Sequence, residues 1–328
     1  MIARLQGFIA AVHRAEGPIP LALFRVGVAI ALMVSVGSVV AQGLLPVIWV
    51  DAEFGGYRAF RKLPWLTEWL GGATPEVMWG LAIGCMVASL LLLLGVGGRI
   101  TAFVALQLYF AIDINGHAGG SYDLMIRNAL WLCVLAPTTA TGSIDAWIAR
   151  GRPWRGRSVP AWCRFLIVFQ LVLIYWTTGL QKVSAHWVPG GEFSALYYIL
   201  QQPSWQLYDM SWLAWVYPST QIATAVTWVW EVTCPLWLLA LHYRVTRERP
   251  GRVRATFNGW DVRTIYAGIG IFFHCALIAT MNVGPFPLIS FAFYPAFWTD
   301  AEWRALGRWM GRVTGLLKSP ESNRAIAG

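Results

Sequence analysis

The sequence predicts an all-α fold, a polytopic bundle of about eight membrane-spanning helices. Hydrophobic residues make up 57% of the 328 residues and charged residues only 12%, whereas about 25% of a soluble domain is charged. Several runs of roughly 18 or more residues carry almost no charge, and this is the length that an α-helix needs to cross a bilayer. The mean hydropathy of +0.54 agrees with this interpretation. We therefore expect a multi-pass protein of the cell inner membrane.

The hydrophobic runs place the helices along the chain. Residues 2–15 have the pattern of a short amphipathic helix on the membrane surface, ended by Pro18 and Pro20. The spans are expected at about residues 21–42, 76–97, 100–114, 124–137, 161–179, 222–242, 265–283 and 288–298. An aromatic segment at 186–220 is expected to fold back onto the bundle. The chain thus divides into an interfacial segment (1–20), a transmembrane domain (21–298) and a polar cytoplasmic tail (299–328) whose end we expect to be disordered.

Basic residues indicate which way the bundle faces. Arginine clusters fall in connections that an even number of spans would place on one side of the membrane, namely 1–20, 98–100, 138–160, 243–264 and 299–328. The positive-inside rule then predicts that both termini are cytoplasmic. This topology, together with contacts to anionic lipid headgroups, explains the net charge of +9. We therefore expect the lipid bilayer, and no nucleic acid, as a partner.

Motifs of soluble enzymes are absent from the sequence. There is no G-x-G-x-x-G, Walker A, H-E-x-x-H or G-x-S-x-G pattern. The five cysteines lie in apolar runs without a C-x-x-C spacing, so we expect buried, reduced thiols and no metal site. Many of the 20 tryptophans fall near the predicted span ends, which is typical of an interfacial aromatic belt.

One stretch, YWTTGLQKVSAHWVPGGE at residues 175–192, concentrates ionisable groups where the fifth span leaves the membrane. Charge at this depth is costly, so each charged group there needs a partner, a water-filled cavity or a function. Lys182 either extends its ammonium group to the interface or serves as a proton-accepting base. His186 shares a helix face with Lys182 if the helix continues for one more turn. Glu192 is expected to be an ordinary loop carboxylate.

Two more ionisable side chains fall within predicted spans. For His274, a buried neutral imidazole bonded to a backbone carbonyl is the ordinary expectation. Glu231, in WVWEVTCPLW, must be paired, protonated or exposed to water. We expect a structural ion pair, with Arg25 as the natural partner of Glu231 and Arg164 as the second choice.

The predicted topology brings several polar residues to one outer face. Asp113, His117 and Asp123 lie in or beside the loop before the fourth span, on the same predicted side as Lys182. Arg127 follows Asp123 by four residues, so we expect these two to pair on the helix surface. Three separate segments are therefore expected to meet at the rim of one outer cavity.

Four stretches together resemble one family. GLQKVSAHWVPGG resembles the lysine-bearing motif of the membrane domain of vitamin K-dependent gamma-carboxylase and of its bacterial relatives, the HTTM (horizontally transferred transmembrane) domain proteins. LALFRVGVA and LLLLGVGGRITAF are similar to the family's arginine-bearing first helix and to its turn between the second and third helices. FFHCALIATMNVGPFP resembles the histidine-bearing helix of the carboxylase. The four stretches occur in the family's order and cover residues 20–298.

The resemblance implies a chemistry. In the carboxylase, the lysine at the Lys182 position is taken as the base that deprotonates vitamin K hydroquinone, and reaction with oxygen then gives a stronger base. That base abstracts a proton from a protein glutamate, which captures carbon dioxide. The resemblance thus implies a quinol-dependent carboxylase or epoxidase, a lyase, with Lys182 as base and His274 as a helper. We also expect His186 to assist catalysis.

The implied cofactor is a vitamin K-type hydroquinone such as menaquinol, and the implied substrate is a secreted peptide or protein. The residues expected to contact the cofactor are Arg127, Asp123, His117, Trp187 and Tyr175. Three alternatives stay open. The chain is a non-catalytic membrane component for maturation or export of a peptide or toxin, a lipid- or quinone-binding membrane protein, or a transporter.

Overall fold

A computed structural model describes residues 13–115, 119–154 and 156–313. The longer helices, which we number α1 to α11, are Ile19–Ala41, Pro75–Leu94, Gly98–Ile112, Ser121–Leu135, Ala161–Gln181, Tyr217–Val232, Pro235–Val245, Arg252–Gly259, Val262–Thr280, Phe286–Phe293 and Asp300–Val313. Short α-helices lie at Leu45–Ile48, Trp65–Trp69, Ile144–Arg150 and Ala195–Leu200. Single 3₁₀ turns lie at Ala52–Phe54, Ala185–Trp187, Pro189–Gly191, Ser211–Val216 and Tyr294–Phe297. Two two-residue strands, β1 (Ala15–Glu16) and β2 (Val159–Pro160), pair in antiparallel fashion.

Within the described residues, four helices are long and apolar enough to cross a membrane, namely α1, α2, α5 and α9. A fifth candidate is a broken span, in which Ser211–Val232 and α7 meet at a bend of 57°. The α3 helix and the segment Phe286–Phe297 are apolar but shorter. The all-α class is thus confirmed and the helices begin close to the expected residues. The count of eight spans, the cytoplasmic termini and the domain boundaries stay predictions.

Local sequence explains where the α2 helix begins and ends. The Thr74 hydroxyl accepts a hydrogen bond from the Val77 amide at 3.3 Å, which caps the first turn. Pro75 occupies the first helical position, where no amide donor is needed. Gly95 ends the helix with a φ of 69°, a left-handed conformation that glycine adopts without a steric penalty.

The α1 helix is the most enclosed of the candidate spans and carries a buried cation. Arg25 donates hydrogen bonds to the carbonyls of Thr138 at 3.0 Å and Gly142 at 2.6 Å, and more weakly to that of Leu93 at 3.4 Å. Backbone carbonyls therefore accept from both terminal nitrogens of a side chain that is fully buried. These bonds fix the loop after α4 against the start of α1.

The connections gather at two ends of the bundle. Arg164, in the first turn of α5, binds Glu16 at 2.6 Å, and the Asp145 carboxylate accepts from the Gly97 amide at 3.0 Å. We call this the basic end, because it also holds the arginine-rich connections 138–160 and 246–261. Asp113 and Lys182 follow the last residues of α3 and α5, so they lie at the opposite end.

The segment at 186–220 folds back onto the bundle, as expected. The Leu196 amide donates to the Thr224 hydroxyl of α6 at 3.2 Å, and the Gln221 side chain donates to the Glu192 carbonyl at 2.8 Å. Four of the cysteines are buried, whereas Cys275 is exposed. That part of the cysteine prediction was wrong, because α9 buries less of its surface than the other candidate spans.

Residues 299–313 differ from the expected polar tail, because Asp300–Val313 forms a helix, α11. The expected amphipathic helix at 2–15 lies mostly outside the described residues, as does the expected disorder at 314–328. Glu302 fastens the start of α11 to the bundle. Its carboxylate accepts from Arg263 at 2.9 and 3.0 Å and from the Thr299 amide at 2.8 Å.

The Glu302 contacts predict a pH-dependent stability. Burial opposes ionisation, but hydrogen bonds from Arg263 and Thr299 outweigh it and lower the pKa of Glu302 from 4.5 to about 2. Because the folded-state pKa lies below the unfolded value, this stabilisation is complete above pH 4.5 and disappears as the pH falls to about 2. Glu302→Gln is expected to lower the unfolding temperature in detergent at pH 7, with a smaller difference from the wild type at pH 3.

The matched control is Glu248→Gln, since the Glu248 side chain is exposed and, among the residues that the structure describes, pairs with its exposed neighbour Arg247. This control is expected to unfold at the wild-type temperature at both pH values. A Glu302→Gln deficit that is constant from pH 7 to pH 3 would contradict the assignment.

Candidate functional site

A buried ion pair joins α5 to α6. Lys182 caps the C-terminus of α5, and its Nζ pairs with Oε2 of Glu231. The Glu231 side chain is 3% exposed and that of Lys182 is 15% exposed. The same ammonium lies 4.7 Å from the centroid of the Trp187 ring, within reach of a cation–π interaction. Lys182 is therefore directed into the bundle as the counter-ion of Glu231.

A glycine makes this pairing possible. A Cβ atom built on Gly179 would lie 2.8 Å from Cβ of Glu231 and 2.9 Å from the backbone nitrogen of Val232. Real Cβ atoms do not approach other atoms so closely, so only glycine lets α5 and α6 meet here. Gly179 lies almost one turn before Lys182, and the close contact thus brings the ammonium to the carboxylate.

The expected partners of Glu231 were wrong. Arg25 donates to backbone carbonyls and Arg164 pairs with Glu16. The reason is position along the helices. Arg164 lies at the start of α5, about 27 Å from Lys182 along the axis, whereas Glu231 packs against the end of that helix. The predicted span at 222–242 placed Glu231 at mid-membrane, but α6 ends at Val232, before the proline that begins α7.

His186 does not share a helix face with Lys182. The α5 helix ends at Gln181, and the chain turns into the 3₁₀ segment Ala185–Trp187. The Nδ1 atom of His186 lies 2.7 Å from the Ser194 hydroxyl, and its ring packs edge-on against Tyr198. Trp187, a predicted cofactor contact, is instead the residue of this segment that touches Lys182.

A second polar cluster surrounds His274. The Tyr175 hydroxyl lies 2.6 Å from Nε2 of His274 and 3.2 Å from the hydroxyl of Tyr294. The expected backbone carbonyl partner was wrong, because the Tyr175 hydroxyl of α5 forms a hydrogen bond with the imidazole instead. Among the described residues, Nδ1 of His274 has no hydrogen-bond partner although the side chain is fully buried. Such an atom is rare in proteins and offers one unsatisfied position to a ligand or a water molecule.

The two clusters lie along one face of α5. Tyr175, Gly179 and Lys182 are four and three residues apart, so they follow one another on the same side of the helix. Trp230, the neighbour of Glu231, packs its ring 4.6 Å from that of Tyr175. The ion pair and the tyrosine–histidine cluster are therefore separated by about 10 Å along the helix axis.

An apolar groove has Trp230 in its lining. It has a volume of about 340 Å³ and its lining includes Val229, Trp230, Thr233, Tyr266 and Ile269. It lies between α6 and α9, at the break that precedes α7, where the Tyr266 hydroxyl donates to the Thr233 hydroxyl at 2.8 Å. A groove between candidate spans, with an almost wholly apolar lining, suits a hydrocarbon chain.

The predicted pair of Asp123 with Arg127 was wrong. Arg127 binds Asp113 at 3.2 Å. Asp123 turns back to cap α4, accepting from the Gly120 amide at 2.7 Å and from the Tyr109 hydroxyl at 2.5 Å. A carboxylate that caps its own helix points away from the residue four positions later.

Asp113, Asp123 and Arg127, which we call the rim cluster, stand apart from Lys182. Burial, reinforced by Asp123, raises the pKa of Asp113, although Arg127 opposes the shift. Within the described part of the chain, no ion pair joins Asp113 or Arg127 to Lys182 or Glu231. His117 lies outside the described residues, so the predicted meeting of three segments at one rim is only partly visible.

Comparison with known proteins gives one family. The model of the HTTM domain matches residues 13–249. The matched part contains α1 to α7 and both members of the Lys182–Glu231 pair, and it ends before α9 and His274. No curated protein and no solved structure matches the chain.

Proposed function

The chain belongs to the HTTM domain family, and from that premise we propose that it is an integral membrane enzyme that takes a proton from an isoprenoid quinol at Lys182. The observation that carries the proposal is the buried pair of Lys182 with Glu231. A purely structural ion pair gains little over apolar residues of the same volume. An ion pair buried between membrane-spanning helices is by default a candidate functional site.

The surroundings of the pair fit a quinol. A quinol supplies a weakly acidic hydroxyl group, reducing equivalents and a long apolar chain. The groove beside Trp230 offers an apolar surface for such a chain. His274, which contacts the Tyr175 hydroxyl, has an unsatisfied Nδ1 atom. We propose that Tyr175, Trp187 and His274 contact the quinol oxygens.

Lys182 and Glu231 act as one unit in this proposal. In the ion pair Lys182 already carries a proton, so it must pass that proton to Glu231 before it can accept another. Neutral Lys182 then accepts a proton from the quinol. After this second transfer, Glu231 is a neutral carboxylic acid and Lys182 is again an ammonium. The ammonium then stabilises the negative oxygen that the transfer creates. Trp187 covers Lys182 and limits access of water.

The remaining predicted contacts have weaker support. His186 is engaged by Ser194, Arg127 by Asp113, and Asp123 by its helix cap and Tyr109. We keep His186 as a residue that assists catalysis, and Arg127, Asp123 and His117 as contacts of a secreted peptide or of the quinol headgroup at the outer rim. Carboxylation of a peptide glutamate is the finer part of the proposal, and incorporation of labelled bicarbonate into a glutamate peptide measures it.

The test compares Lys182→Arg with the wild type, both purified in mild detergent. Arginine keeps the positive charge opposite Glu231 but cannot give up its proton. We expect both proteins to retain extractable quinone, while the oxygen-dependent consumption of added menaquinol falls about 100-fold or more in the variant. Lys62→Ala removes an exposed lysine from a different loop and is expected to leave consumption unchanged.

Three outcomes would overturn the proposal. Wild-type protein without bound quinone and without menaquinol consumption would favour the non-catalytic component for peptide or toxin maturation. Bound quinone with equal turnover in the wild type and Lys182→Arg would make Lys182 a counter-ion only. Bound quinone without any turnover would favour the alternative of a quinone-binding membrane protein.

A further inference from the structure

The α11 helix has two contrasting faces. Arg304, Arg308 and Arg312 recur every four residues and form one face, on which Arg304 also binds Asp300 at 2.6 Å. Leu306, Trp309 and Val313 project on the other side, and their side chains are 42%, 55% and 67% exposed. An exposed apolar face beside an arginine face is the pattern of a helix that lies in the membrane–water interface.

The start of α11 is fixed where three apolar helices end. Glu302 binds Arg263 in the first turn of α9 and Arg244 in the last turn of α7. The Asp300 carboxylate accepts from the amide of Ile19, the first residue of α1, at 3.1 Å. Because these helix ends belong to candidate spans, α11 begins at the level where the chain leaves the bilayer.

An arginine-lined cavity follows the end of α7, the helix whose Arg244 binds Glu302 of α11. The loop 246–251 and the start of α8 enclose about 420 Å³, with Arg247, Arg249 and Arg254 in the lining. Arg254 is held in place by hydrogen bonds to the carbonyls of Arg249 at 3.2 Å and Pro250 at 2.8 Å, and its guanidinium lies over the ring of Tyr243. Glu248 also lines the cavity and pairs with Arg247. The fixed guanidinium of Arg254, with Arg249 and the paired Arg247 beside it, still leaves an excess of positive charge that suits a phosphate group.

We propose that α11 and the 246–251 loop form one docking surface for anionic phospholipids. Arginines of both segments contact headgroup phosphates, and Leu306, Trp309 and Val313 enter the acyl boundary. The arginines are complementary in charge to anionic headgroups, and α11 begins beside the ends of α1, α7 and α9. Both observations favour a lipid surface over a soluble partner. This inference is independent of the proposed chemistry at Lys182, because it concerns the opposite end of the bundle.

The experiment measures lipid binding to the full chain in mild detergent by native mass spectrometry. Phosphatidylglycerol and phosphatidylcholine of equal chain length are the two probes, and inorganic phosphate is a third arm without an acyl chain. The test variant is Arg304→Gln, Arg308→Gln and Arg312→Gln combined. The matched control is Arg58→Gln, Arg61→Gln and Lys62→Gln, which removes three exposed charges from a different connection.

Each arginine near an anionic surface contributes about a five-fold gain in affinity. The α11 variant is therefore expected to lose roughly 100-fold in affinity for phosphatidylglycerol and little for phosphatidylcholine. The control is expected to bind like the wild type, and phosphate alone is expected not to compete. Trp309→Ala is expected to weaken both lipids, because it removes an apolar anchor.

Other results would overturn the inference. Equal losses in the α11 variant and the control would show unspecific charge attraction. Unchanged binding in both, or full competition by inorganic phosphate, would exclude a lipid surface. Dimers that dissociate on Trp309→Ala would assign the face to a second copy. A rise in lipid binding on deletion of residues 2–12 would assign it to the chain's own N-terminal segment.

Discussion

Lys182→Met is expected to lower the free energy of unfolding by about 3–5 kcal/mol, because it leaves the carboxylate of Glu231 buried without its partner. Glu231→Leu is expected to cost a similar amount, since it leaves the ammonium unpaired. The double variant replaces both charges by apolar side chains and is expected to recover most of the loss. Stability is measured by unfolding the detergent-solubilised protein with increasing fractions of a denaturing detergent.

The control for this cycle is Lys62→Met, which removes an exposed lysine and is expected to change stability by less than about 0.5 kcal/mol. Additive losses in the double variant would contradict a direct pair, because independent sites add and coupled ones do not. The cycle also bears on the proposed chemistry. A double variant that folds like the wild type but consumes no menaquinol separates the loss of catalysis from the loss of structure.

The helices could be predicted because hydrophobic length alone decides them. Residues 161–179 were predicted as a span and the structure has a helix at Ala161–Gln181. The partner of Glu231 could not be found in the same way, because ion pairing depends on which helix ends lie at the same depth. Two local signals were available: Pro235 four residues after Glu231 breaks the helix, and Gly179 before Lys182 marks a close approach of another backbone.

The Asp123 prediction failed at a local choice. The rule that residues four positions apart pair on a helix competes with the rule that an acid at the third helical position caps the helix start. The sequence Gly120 to Asp123 fits the second rule, and a hydrogen bond from the Gly120 amide satisfies it. The partner of His274 lies 99 residues away in the sequence, so no local pattern predicts it.

The α11 helix does not follow from the sequence in the way that the spans do, because it contains no continuous apolar run. Its arginines dilute the hydrophobic residues below the level of a span. The apolar side chains nevertheless recur at Trp303, Leu306 and Val313, with spacings of three and seven residues, which is the period of an amphipathic helix. A test for that period at residues 300–313 would have found the helix and its interfacial character.

Gly179→Val is expected to have the second large effect, because it acts on the backbone contact that allows the ion pair. The first added carbon alone would lie within 3.0 Å of Glu231 and Val232. The overlap is removed only if α5 and α6 move apart. We expect overpacking to lower the free energy of unfolding by about 1–3 kcal/mol, and the loss of the Lys182–Glu231 pair adds to this. Lys182 should then become accessible to an amine-modifying reagent that dissolves only in water.

Gly268→Val is the matched control, since no other described part of the chain comes within 4 Å of a Cβ built on this glycine of α9. Both variants introduce the same β-branched side chain into a candidate span, so they share the same helix-propensity change and differ only in the contact. The chain's lysines are Lys62, Lys182 and Lys318, and peptide mass spectrometry therefore resolves the labelling of each. We expect Lys62 to be labelled in all proteins and Lys182 only in Gly179→Val. Labelling of Lys182 in the wild type at the rate of Lys62 would mean that its ammonium reaches water, and both the ion pair and the proposed base would then lose their structural foundation.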